Sequence, residues 1–98
     1  VLPRGLAGLS LVRLRSDRAG NPETIQLVYS DGLATVSVFE QRGRLVAAPQ
    51  GSEWDATLGA HIRRSASDVA TWQSSDVVFT VVTDGNSGVL DDAVASLP

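Results

Sequence analysis

Cysteine, methionine and lysine are all missing from this 98-residue chain. Without cysteine there is no disulfide, no thiolate nucleophile and no Cys-ligated metal, and the absence suits an oxidising or a reducing compartment equally. No run of 18 apolar residues occurs, so no transmembrane helix is expected. Positive charge is not in excess: the net charge is −3. That balance argues against nucleic acid as a partner and against strong attraction to an anionic membrane surface. All eight basic residues are arginine, which we read as the codon bias of a GC-rich genome. The chain opens at Val1 and has no Met, so it is expected to be a fragment of a longer protein, with any signal peptide or anchor in the missing part.

What is present is an ordinary globular composition, 43% hydrophobic and 19% charged. The length suits a single domain, residues 1–98, with one modest core. The clearest local signal is Tyr29 to Phe39, YSDGLATVSVF, in which Asp31-Gly32 joins two apolar runs. Asp-Gly suits a two-residue type I′ turn, because both central positions need φ > 0. That turn predicts the cross-strand pairs Tyr29 with Ala34, Leu27 with Val36 and Ile25 with Val38, all on one apolar face. The opposite face is mostly polar, as a half-buried antiparallel sheet requires.

Leu9–Arg15 reads as a strand whose apolar phase slips from Leu9 and Leu11 to Val12 and Leu14, a sign of a bulge or a twist. Ser16–Pro22 is a cluster of turn residues. Ala47–Asp55, with Pro, Gly and Ser interleaved, reads as a surface loop or flap. Leu58–Arg64, Val69–Gln73 and Val77–Val82 are three further strands, the last apolar enough to be covered on both faces. Asn86 or Ser87 suits a helix cap, Asp91 and Asp92 suit its early turns, and Val89, Leu90, Ala93, Val94 and Leu97 form one stripe. The fold class is therefore α+β: an antiparallel sheet of five to six strands with one C-terminal helix packed on it.

Chemistry is harder to find. His61 has no Gly-x-Ser-x-Gly elbow or acid–base partner in the pattern, so it reads as a structural or surface residue. One histidine and scattered carboxylates fall short of a metal site. Glu53-Trp54-Asp55 places two carboxylates beside an aromatic ring, but in a loop their separation is not fixed and glycosidase chemistry depends on it. Asp84–Gly88 lacks Walker spacing and a lysine. No cofactor site and no enzyme signature emerges. Arg63-Arg64 reads as an edge-strand device against aggregation or as interface residues, Trp72 as core, and Trp54 as a ring folded over the sheet edge.

The hairpin also carries a family likeness. YSDGLATVSVFEQ, Tyr29–Gln41, resembles the Y-S-D-G-L-x-x-x-S-V stretch of the C-terminal domain of the RseB/MucB family of sigma-E regulatory proteins. GAHIRR, VATWQSSDVVFTVVTD and VLDDAVASL follow in a similar order, so the likeness spans the chain, and the Arg-only, Val/Ala-rich composition points to an actinobacterial relative. The larger upstream domain usual in that family is absent from this chain. The resemblance implies a non-catalytic, extracytoplasmic module that binds the extracytoplasmic segment of an anti-sigma factor in envelope-stress signalling. Binding residues are expected at an exposed sheet edge or face around Arg63, Arg64 and Trp54, where an extended peptide can add as a strand. Two other functions compete: binding of a lipid or small apolar ligand in a cavity between sheet and helix, or service as the extracytoplasmic domain of a membrane-anchored anti-sigma-type protein.

Overall fold

The structure, a computed structural model, describes residues 5–6, 8–17, 24–32, 34–84 and 87–97. Among these residues eight strands form one sheet: β1 (Gly5–Leu6), β2 (Leu9–Asp17), β3 (Thr24–Ser30), β4 (Thr35–Arg42), β5 (Glu53–Asp55), β6 (Ala60–Arg64), β7 (Asp68–Ser74) and β8 (Val77–Thr83), followed by helix α1 (Ser87–Ser96). Their spatial order is β1-β2-β3-β4-β8-β7-β6-β5, and every pairing is antiparallel. The architecture of sheet plus terminal helix is the expected one, but the expected five to six strands are eight. The two extra strands are the short edge pieces β1 and β5, which are too brief to carry a period-2 signal.

The inner face is continuous across the sheet. Leu27 and Tyr29, Val36 and Val38, Phe79 and Val81, Ala70 and Trp72, and Ala60 and Ile62 are buried there with Leu6 and Leu9. Helix α1 lies over β8 and β7 on this side and buries Leu90, Ala93 and Val94, the stripe its 3.6-residue period predicts. Trp72 and Phe79 are direct cross-strand partners, and their rings stack at 5.3 Å and 10°. Such pairs add to the area their rings bury.

The hairpin register differs from the expected one by two residues. Tyr29 faces Val36, Leu27 faces Val38 and Ile25 faces Glu40. The connection is four residues, 31–34, and the side chain of Asp31 is the reason. Its Oδ1 accepts the Ala34 N–H at 2.8 Å, while the Asp31 N–H donates to the Ala34 carbonyl at 3.4 Å. An Asp that binds the backbone in this way closes a longer loop than a bare type I′ turn. Gly32, at φ 92°, supplies the left-handed residue. A two-residue slip preserves the pleat, so the paired side chains of β3 and β4 keep their predicted faces.

The bulge in β2 falls between Leu11 and Arg13, as the slipped apolar phase predicts. It leaves Val12 exposed and turns Arg13 and Arg15 to the outer face opposite Val28 and Gln26. The turn cluster expected over Ser16–Pro22 starts later, because β2 runs on through Asp17; residues 18–22 and Asn86 lie outside the described residues, and Ser87 is the first residue of α1. Asp91 and Asp92 sit in the second turn of α1, not the first.

Candidate functional site

The connection from β4 to β5 decides what the far edge of the sheet looks like. β4 lies next to β8, so residues 43–52 must cross β8, β7 and β6 before β5 can begin at the edge. They do so on the outer face, as a strap. Gln73 anchors its start: the Leu45 N–H donates to Gln73 Oε1 at 2.6 Å, and Gln73 Nε2 donates to the Gly43 carbonyl at 2.9 Å. The Gly43 N–H donates to the Asp76 carbonyl at 2.7 Å. The strap ends in a turn at which both the N–H and the hydroxyl of Ser52 donate to the Pro49 carbonyl. Strap and helix thus cover β8 on opposite sides near Val78 and Phe79, as its apolar sequence predicts.

The last residues of the expected loop, Glu53–Asp55, are therefore a strand. Asp55 then turns the chain back. Its Oδ1 accepts the N–H groups of Thr57 and Leu58, and its carbonyl accepts the Gly59 N–H at 2.8 Å. Gly59 adopts φ 69°, which few other residues tolerate. The strand expected from Leu58 consequently starts at Ala60, and β6 is the second strand in, not the edge.

The three expected binding residues separate. Arg63 and Arg64 are consecutive on a strand, so they point to opposite faces; the sequence already contained that fact. Arg64 lies on the inner face, in register with Asp68. It binds Asp68 Oδ2 at 3.5 Å and Asp91 Oδ1 at 3.4 Å, which ties β6 and β7 to the helix. Asp68 is only 4% exposed, so this cation offsets a buried carboxylate. Arg64 is a brace.

Arg63 lies on the outer face, in register with Val69. Its Cδ comes within 3.6 Å of where a Cβ on Gly51 would sit, so its stem runs along the end of the strap. Trp54 is on the edge strand itself and is 59% exposed. Its register partner is His61, and the two rings meet edge to face at 4.9 Å and 61°. The outer side of the edge is thus an aromatic step of Trp54 on His61.

The inner side of the same edge has a different chemistry. Glu53 and Asp55 alternate with Trp54, and with Ile62 and Arg64 they line the inner part of an open depression of about 580 Å³ that wraps the edge past Trp54 to Gly51. The tip of β5 therefore presents an aromatic ring to one side and two carboxylates to the other. Sequence reasoning read His61 as a structural or surface residue without pairing it with Trp54, and gave Gln73 and Asp68 no role in this region. Strand alternation from Trp54 offered a signal for His61, while the long-range role of Gln73 left none.

Away from the edge, Glu40 takes the inner-face position opposite Phe79. Its Oε2 is buried with no hydrogen-bond partner among the described residues, and burial pushes its carboxyl above the usual range. The Tyr29 hydroxyl is pushed up as well, by burial and then by Glu40. No three His, Asp or Glu side chains converge as metal ligands among the described residues, and no helix there is long and apolar enough to cross a membrane. No family model, curated protein or solved structure matches the chain.

Proposed function

We propose that this domain is a non-catalytic interaction module that takes an extended segment of a partner protein along the outer edge of β5. The observation that carries the reading is Trp54: a large aromatic ring, mostly exposed, on a sheet edge that no described strand covers. An incoming strand gains backbone hydrogen bonds from such an edge, and its alternate side chains meet alternate faces. On the outer side they pack against Trp54, the residue type that most often dominates interface energetics. On the inner side they enter the depression beside Glu53 and Asp55, which favours a basic or hydrogen-bond-donating side chain.

The family likeness supplies the partner in this reading: the extracytoplasmic segment of an anti-sigma factor of the sigma-E type, with the domain itself outside the cytoplasm. A disordered segment of that kind is suited to strand addition, because it pays its ordering entropy only on binding. The test is calorimetric titration of the domain with that segment, taken from the anti-sigma factor encoded nearest to it. The reading expects saturable binding that Trp54→Ala weakens at least about tenfold and that Glu53→Arg also weakens. Binding that both substitutions leave unchanged removes β5 from the proposal.

A further inference from the structure

The strap and the outer face enclose a second space, separate from the edge depression. It is a cleft of about 360 Å³, within the range of about 300–1,000 Å³ usual for small-molecule sites. Leu45 and Pro49 roof it from the strap, and Val69 and Val78 supply an apolar floor from β7 and β8. Between those valines Thr71 and Thr80, register partners on the same two strands, add hydroxyls to the floor.

The cleft also has a polar lining, from Gln41, Ser52 and His61, and one arginine. Arg63 lines it, is exposed, and makes no ion pair or hydrogen bond with any described residue. The two ion pairs described use Arg64, on the other face. A guanidinium with no described partner, lining a mostly apolar slot, matches a planar anion that it can bind in bidentate fashion. No described carboxylate forms an ion pair with it, and the nearby Glu53 and Asp55 alternate to the opposite face of the sheet.

The geometry points to a binding site under the strap for a small carboxylic acid with an aliphatic or aromatic body, its carboxylate on Arg63 and its body between Leu45, Pro49, Val69 and Val78. This goes beyond the edge-strand reading and stands on different residues, so either can fail alone. It also moves the expected ligand cavity: the helix side of the sheet is filled by Leu90, Ala93 and Val94, while the ligand-sized cleft lies on the face away from the helix.

The experiment is a titration of the isotope-labelled domain with monomeric octanoate and, in parallel, with octanol, followed by amide shifts. Saturable octanoate shifts confined to the strap and the outer-face residues of β6–β8 support the site. Octanol should bind at least about fivefold more weakly, since it lacks the charge-assisted hydrogen bonds. Arg63→Gln, which changes an exposed side chain, should bring octanoate down to the octanol affinity while leaving core amide positions unchanged. Three results overturn the proposal: no saturable octanoate shift, shifts centred outside the strap cleft, or equal affinities for octanoate and octanol in the unsubstituted protein.

Discussion

Trp54 and His61 face each other across the last two strands of the sheet, with ring centroids 4.9 Å apart and planes at 61°. The pair fixes the orientation of an exposed tryptophan on a three-residue edge strand. An aromatic held in this way loses little side-chain entropy when a partner covers it.

Replacing Trp54 by Ala should therefore separate stability from binding. The ring is mostly exposed, so urea denaturation should show a loss of about 1 kcal/mol or less, the value of one edge-to-face pair. Affinity for the partner segment should fall by about 1.4 kcal/mol or more, a tenfold change. A stability loss above about 3 kcal/mol would make Trp54 a core residue instead.

Arg63 and Arg64 should behave as opposites under the same substitution. Arg64→Ala strands the buried Asp68 carboxylate and releases Asp91. The side chain of Arg64 is 44% exposed, so solvent screening limits the loss to about 1–2 kcal/mol. Arg63→Ala, on the outer face, should cost no more than about 0.5 kcal/mol. Equal losses in thermal or urea unfolding would contradict the division of these neighbours between brace and ligand contact.

The extent to which this was legible in the sequence follows from how local each cause is. The alternation of Leu27, Tyr29, Val36 and Val38 is a period-2 signal, and it placed the core face correctly even though the turn was misread by two residues. The slipped phase around Val12 located the bulge, and the stripe of Leu90, Ala93 and Val94 located the helix face. The misses are long-range. Nothing near Gln73 says that its amide holds residues 43 and 45, some thirty positions upstream. β5 is a strand because the strap delivers it to the edge of β6, not because Glu-Trp-Asp favours one. The likeness at Tyr29–Gln41 reports on a hairpin that builds the core, whereas the candidate site lies at the β5 edge, with β8, β7 and β6 in between.

Gln73 gives a direct test of the strap. Gln73→Ala removes its bonds to Gly43, Leu45, Ser75 and Val77. Leaving those partly buried groups unpaired should cost about 1–3 kcal/mol. The specific readout is hydrogen exchange at the Leu45 amide, which should accelerate while the amides of β3 and β4 keep their relative protection. Unchanged exchange at Leu45 would show that the strap is held by other contacts.

Glu40 should give stability an unusual pH dependence. Burial raises its folded-state pKa, so the native state holds this proton more tightly than the unfolded chain does. Between the unfolded and the folded value the native state binds more protons, and stability falls as pH rises. The contribution is retained in acid and lost as pH climbs through the folded value. Comparing the protein with Glu40→Gln isolates it: the stability of the unsubstituted protein relative to the variant should decline over the range that begins near the ordinary Glu value, about 4, and extends upward. A flat difference across that range would mean that Glu40 is not desolvated.

Hydrogen exchange along β5, measured with and without the extracytoplasmic anti-sigma segment, tests the central claim most directly. Strand addition at the open edge should slow exchange at Glu53–Asp55 by about tenfold or more, because outward-facing amides there become hydrogen-bonded to the partner. Saturating binding that leaves those amides unprotected, with protection appearing on α1 or on β1–β2, would contradict it and place the interaction on another surface of the domain.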